Sequence, residues 1–483
     1  MSATILTQDP QGRPSNMKIT TSVLDPITLT SSHCVFQLPK TGIVDSGSFV
    51  QLAVKCESAS DGDFFFPIST GIFGLIKNAT LKIGNKVICS TQDVGHYKTM
   101  VRHFETPESR AFVDMVKTGA TGSRFGASDA GRLEYRDLSI TRGGTPPDDS
   151  SLVPEFIKPT ADDSTTPVFS VMLSDLFPML IQRKLPLAYI KEHMYIDIEF
   201  NSQLTAGDEG KICCRTDGTG TGSPAISIST PNIKFVFDSL YYDDEKMSEV
   251  AKLAMSKEGL SMIYEDLILT STSVPALSIA PTTETQQNIE REIATAGKTI
   301  RNLMISEKQS GHVHKFLGEY TSRDSKVASS VNYRINEMRV YDRDIVEPPR
   351  KLQEVSMAMG KTLQVPDQLY SYDSDTNKAV LGKAVNQQST YVGKVEEHQC
   401  PSQTSNSYGT DTDMRGVAHY EGLDLTTSGA NVLGSGTLIG TKPIRLTKQY
   451  TRTADDYSAR DMRIYAGVER FMTIRDGEVF VSA

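Results

Sequence analysis

The 483-residue sequence contains no tryptophan, 8 histidines and 6 cysteines. Without Trp, a carbohydrate site would have to stack sugars on Tyr alone, which weighs against sugar binding. The cysteines stand at 34, 56, 89, 213, 214 and 400, with Cys213 and Cys214 adjacent. That spacing fits no disulfide framework, so they read as reduced thiols of a chain folded in a reducing compartment. No stretch approaches the roughly 18 consecutive apolar residues of a transmembrane helix. Met1–Pro10 has neither a basic n-region nor an apolar h-region, so no signal peptide is expected. Positive charge is not in excess either: 50 Lys and Arg face 59 Asp and Glu, for a net charge of −9. Arg452, Arg460, Arg463 and Arg470 alternate with Asp455, Asp456, Asp461 and Glu469, the pattern of a salt-bridged surface rather than a phosphate track. No direct sequence-specific nucleic-acid binding is expected.

The motifs of catalysis fail one by one. Gly297-Lys298-Thr299 and Gly360-Lys361-Thr362 resemble the end of a phosphate-binding loop, but the position five residues earlier holds Glu292 and Val355 instead of Gly. Gly434, Gly436 and Gly440 miss the dinucleotide spacing by one residue and read as a flexible turn. His312 and His314 share one face of a strand without a third ligand, and His96 and His103 lie seven apart without the metalloprotease pattern. Asp411 and Asp413 lack the terminal acid of a calcium loop. Asn78-Ala79-Thr80 is a sequon beside a strand in a chain expected in a reducing compartment, so glycosylation is not expected. The expectation is no enzyme, no catalytic residues, no cofactor and no metal.

What the sequence does contain is period-two alternation. Lys18–Thr20, Ile27–Thr30, Cys34–Leu38, Phe49–Val54, Ala79–Ile83, Val168–Val171, Met194–Phe200 and Ile233–Phe237 read as strands bounded by Gly, Pro, Asp and Ser. Leu267–Leu269, Ile300–Ile305, Phe316–Tyr320, Val331–Val340, Met462–Tyr465, Phe471–Ile474 and Val479–Val481 continue the pattern. Gly84-Asn85 reads as a hairpin turn. Polar, Gly-rich stretches over Thr118–Thr166, Asp217–Thr230 and Tyr370–Gly429 read as long loops. Helical spacing is confined to His96–Phe112, 243–259, where acids occupy the first turn, and Arg350–Met359. The class is all-β with minor helix.

One short stretch repeats. NATLKIGNKVI (Asn78–Ile88) aligns with INEMRVYDRDI (Ile335–Ile345) at an offset of 257 residues. Each copy is followed by a helix-like segment, as tandem duplication of a domain of roughly 230 residues would give. The organisation expected is an arm over 1–16, one domain over 17–243, a helical linker over 244–259 and a second domain over 260–483.

VMLSDLFPMLIQRKLPLAYIKEHMYIDIEF (Val171–Phe200) joins an LPLxxL-like segment to an alternating strand, and LIKNATLKIG (Leu75–Gly84) forms a strand and turn. Both stretches, with the closing strands Ile464–Val481, resemble the double jelly-roll major capsid proteins of eukaryotic DNA viruses, from the large nucleocytoplasmic viruses to polinton-like viruses and virophages. Asn85 stands where that family usually has a second Gly, and the family's nearby Trp residues are missing. The resemblance implies two tandem eight-stranded jelly rolls with a few short helices and long loops. It also implies a homotrimer forming a pseudo-hexagonal capsomer of an icosahedral shell. Neighbouring capsomers, minor capsid and penton proteins and an inner membrane would be the partners, and the virion, assembled in the host cytoplasm or nucleus, the location. Two other readings are weighed against it: a minor capsid, penton or spike protein of the same viruses, and a carbohydrate-binding or carbohydrate-cleaving β-sandwich.

Overall fold

Alternation along the chain becomes burial in space. Met194–Phe200 buries every second side chain, with Met194, Ile196, Ile198 and Phe200 facing inward. Such a strand needs a second apolar layer across from it. The computed structural model describes residues 18–30, 32–57, 64–65, 71–105, 117–118, 168–201, 214–215, 225–228, 233–242, 244–310, 328–360, 370–373, 378–381, 420–429, 432–452 and 458–482.

The first set of strands is β1 (Lys18–Leu24), β2 (His33–Gln37), β3 (Phe49–Glu57), β4 (Ile76–Ile83), β5 (Lys86–Gln92), β6 (Val168–Met172), β7 (Met194–Phe200) and β8 (Lys234–Tyr241). They pair antiparallel in two sheets, β1-β8-β3-β6 and β2-β7-β4-β5. The second set is β9 (Leu260–Val274), β10 (Thr285–Ile293), β11 (Thr299–Gln309), β12 (Ala328–Ile335), β13 (Met338–Arg339), β14 (Tyr420–Asp424), β15 (Ile444–Arg452) and β16 (Arg460–Arg475). Its sheets are β9-β16-β11-β14 and β10-β15-β12-β13. With the strands of each set numbered one to eight, both have the sheet orders 1-8-3-6 and 2-7-4-5. This is the double-sheet antiparallel arrangement of a jelly roll, present twice.

Short pieces extend the sheets. Ile43–Val44 pairs with β8, Ala225–Ile228 with β3, Thr437–Leu438 with β11, and Glu478–Ser482 with the end of β16. Three helices carry most of the rest: α1 (Val94–Glu105), α2 (Asp244–Ala254) and α3 (Pro348–Ala358). Asp244 and Glu245 sit in the first turn of α2, where the helix dipole favours acids. Pro348 opens α3, where its missing N–H and fixed φ cost nothing. α2 buries Val250 and Ala254 in the apolar cluster of the first sandwich.

The hairpin repeat is real, but its register differs from the one the sequence suggests. The turns are Gly84-Asn85, between Ile83 and Lys86, and Asn336-Glu337, between Ile335 and Met338. The structural offset between these turns is therefore 252 residues rather than 257. Asn336 and Glu337 both have positive φ, so Val331–Val340 is a hairpin rather than one strand.

Other segments differ as well. Phe49–Val54, expected as a short strand, is part of the longer β3, and a 3-10 turn over Gly71–Leu75 precedes β4. The loop expected over Asp217–Thr230 includes the strand Ala225–Ile228. The loop expected over Tyr370–Gly429 contains β14 and a small hairpin, Tyr370–Asp373 with Lys378–Leu381. β10 and β15 lack the apolar alternation of the other strands. Residues 1–16, Phe316–Tyr320, His312, His314, Asp411, Asp413, Cys213, Cys400 and most of Thr118–Thr166 lie outside the described residues.

Candidate functional site

Because the sequence leads to no expected catalytic constellation, the informative geometry among the described residues is where charge is buried and where the two sandwiches meet. The meeting surface is formed by β5 and the start of α1 on one side and β9 and β16 on the other. Leu260, Met262 and Tyr264 of β9 and Met472 and Ile474 of β16 belong to the same buried apolar cluster as the core of the first sandwich, as does Val479. On the outer face of the β9-β16-β11-β14 sheet, Leu267, Met304 and Tyr465 pack with Met100 of α1 and Val355 of α3. The rings of Tyr97 and Tyr465 lie 5.4 Å apart.

Polar groups fix the register of this seam. Tyr264 Oη donates to the Ile88 carbonyl at 2.7 Å, and the Ser90 N–H donates to Asp266 Oδ1 at 2.9 Å. Asp266 Oδ2 in turn pairs with Arg470 Nη2 at 3.0 Å. Arg183 Nε donates to the Ile263 carbonyl at 2.9 Å, and Lys86 Nζ to the Val479 carbonyl at 2.8 Å. Asp93, held at positive φ just before α1, receives Arg463 on one carboxylate oxygen and lies 2.8 Å from His96 Nδ1 through the other. Tyr465 Oη donates to the Asp93 carbonyl at 3.1 Å. Burial pushes the Asp266 carboxyl above its usual range despite Arg470, and raises the Cys89 thiol beside it. His96 is thus a buried partner of Asp93 rather than a ligand.

A second concentration of charge lies inside the second sandwich, toward the end from which its β11–β12, α3–β14 and β15–β16 connections leave. Lys448 of β15 pairs with Glu307 of β11 and Glu421 of β14, all three buried. Tyr450 Oη donates to Glu307 Oε1 at 2.7 Å. The guanidinium groups of Arg452 and Arg460 lie 5.2 and 4.9 Å from the Tyr450 ring centre. Burial alone would lower the Lys448 pKa, but the two carboxylates outweigh it and hold it above its usual value. Burial, reinforced by Glu307, raises Tyr450 well above an ordinary phenol. These carboxylates are occupied by cations, so the cluster is a salt-bridged plug and not a pair of carboxyl groups poised for acid–base work.

The charges expected on a surface are therefore inside. Arg452 and Arg460 are buried in the sandwich, while Arg463 and Arg470 are held in the seam. Among the described residues no group of His, Cys, Asp and Glu is arranged to hold a metal ion, and no helix is long and apolar enough to cross a membrane. Cys34 and Cys89 are buried thiols, and burial next to Asp197 pushes Cys34 up to about 12.

No protein-family model matches the chain, and no curated protein matches it. Solved structures do. The structure of PBCV-1 VP54 fitted into a reconstruction of the virophage Sputnik superposes with a TM-score of 0.55 at 10% identity, over 99% of both chains. The quasi-atomic PBCV-1 virus capsid gives 0.54 at 12% identity, again over 99% of both chains. The fold is the viral double jelly roll. The Sputnik virophage structure agrees, with a TM-score of 0.53 at 10% identity over 98% of this chain and 90% of that one. In this double jelly roll the LPLxxL-like segment buries Leu185, Leu187 and Ile190 as it feeds β7. The motif that carried the resemblance is thus a packing motif. The seam and the charged plug carried no sequence signal, because their partners are far apart along the chain.

Proposed function

We propose that this chain is the major capsid protein of an icosahedral DNA virus, a structural subunit that associates with copies of itself. The observation that carries this reading is the likeness over 99% of both chains to the PBCV-1 capsid structure. The seam supports it, because two sandwiches fixed side by side make one rigid building block. In the finer reading the capsomer is a homotrimer of pseudo-hexagonal outline. Residues 17–243 and 260–483 are its two jelly rolls, 244–259 the linker and 1–16 an arm. The arm and the stretches Thr118–Thr166 and Tyr370–Gly429 make contacts between subunits or face outward, as long loops at the ends of a sandwich can. Minor capsid and penton proteins, and a membrane beneath the shell, are further partners, and assembly takes place in the host cytoplasm or nucleus. The role is structural rather than enzymatic.

Gel filtration with light scattering tests the reading. The purified protein is expected at three times the 53.0 kDa mass of the chain. A monomer that persists at high concentration would overturn it.

A further inference from the structure

The charged plug of the second sandwich offers no carboxyl group to an outside substrate, yet it holds every group needed for a reaction within itself. Lys448 on β15 reaches across from one sheet to Glu307 on β11 and Glu421 on β14 of the other. The three residues are 1, 2 and 3% exposed, so bulk water is excluded from their contacts.

The two carboxylates differ in their surroundings. Tyr450 Oη donates at 2.7 Å to Glu307 Oε1, the oxygen that also meets Lys448 Nζ. Arg460 Nη1 lies 4.0 Å from Glu307 Oε2. A phenol and a guanidinium thus stand where negative charge collects when a nucleophile adds to the Glu307 carboxyl carbon, an arrangement that favours acyl transfer. Glu421 Oε2 also meets Lys448 Nζ. From there it can take a proton from nitrogen and pass it to a leaving oxygen. The fold holds nucleophile, acyl group and proton carrier together, which removes the entropy cost of an encounter.

We propose that Lys448 and Glu307 become joined by an isopeptide bond after folding, with Glu421 as the catalytic residue. The resting state is the ion pair, in which both carboxylates keep Lys448 charged. Glu421 carries one ammonium proton to a Glu307 oxygen, and the neutral amine then adds to the Glu307 carboxyl carbon. The C–N bond forms, a second proton from Nζ follows the first to the same oxygen, and the C–O bond breaks to release water. Glu421 ends as it began, and nothing is oxidised or reduced. In water, hydration favours the ionised acid and amine over the amide. In this interior the ions carry a desolvation penalty that the uncharged amide does not. The reaction is a single event in each chain, not turnover, and does not depend on self-association. Its product ties the two sheets of the sandwich together through residues 141 apart in the chain.

Mass spectrometry of the denatured full-length protein tests this. The intact mass is expected to be one water below that of the sequence. After tryptic digestion, Asn302–Lys308 and Leu446–Arg452 are expected as one branched peptide, uncleaved after Lys448. Lys448→Arg is expected at the full mass of its sequence, with the chain cleaved into separate peptides. Wild type at full mass with unlinked peptides would overturn the proposal, and that measurement needs no variant to fold. Glu421→Gln is expected to stay unlinked, while Glu421→Asp, which keeps the carboxylate, is expected to be linked. A branched peptide in Glu421→Gln would overturn the role given to Glu421 and leave the bond itself standing.

Discussion

Gly422 lies on β14 between Glu421, which points into the charged plug, and Leu423, which points into the apolar core. A Cβ at Gly422 would come within 2.8 Å of both the Ala358 Cβ and the Val355 Cα of α3. The contact with backbone leaves no room to give way, so α3 must lift from the sheet. Gly422→Ala is expected to cost about 1–3 kcal/mol, read as a lower urea midpoint with an unchanged slope. An unchanged midpoint would mean that α3 does not rest on this strand. The same three residues explain why β14 was illegible. A buried acid, a glycine and a leucine in sequence give neither alternation nor β-propensity, and Tyr420–Asp424 therefore merges with the polar stretch before it. β15 was hidden in the same way, because two of its inward positions are Lys448 and Arg452. Charge faces a sandwich interior only when its partner waits across the core, and that partner is invisible along the chain.

At the level of elements, the seam between β5 and β9 turns on Asp266. Its carboxylate meets the Ser90 N–H from one sandwich and Arg470 from the other, with Cys89 and Tyr264 beside it. Its folded pKa is raised, so folding favours the protonated form. The stabilisation from this group is complete below the ordinary aspartate range near about 4 and is lost as pH rises through the elevated value. Comparing wild type with Asp266→Asn, the stability of wild type relative to the variant is expected to fall as pH rises from about 4 through the elevated value. A flat or rising difference in melting temperature would contradict the assignment. Single strands of this seam could be read from the sequence, since Leu267–Leu269 is a short apolar run of β-forming residues. Its length could not: β9 runs for 15 residues, and the polar side chains along it, Glu265 and Asp266 among them, make sense only beside Arg301 and Arg470.

For the whole molecule, the decisive feature is that the second sandwich contributes Leu260, Met262, Tyr264, Met472, Ile474 and Val479 to the first one's core cluster. At about 1.5–3 kcal/mol per fully buried large side chain, this is of the order of the net stability of a typical domain, about 5–15 kcal/mol. Calorimetry is therefore expected to show one unfolding transition for the subunit, and two resolved transitions would show that the sandwiches are independent. The sequence by itself determined the all-β class, the two-part plan and the resemblance to viral capsid proteins. Alternation, turn residues and a short packing motif are local, and they survive as pattern in a single chain. Only the tertiary structure decided the hairpin register, the strands that carry buried charge, and which sheet edges are joined and which are left open. Those depend on cations, carboxylates and apolar faces brought together from positions hundreds of residues apart, where burial reverses the preferences that the residues show locally.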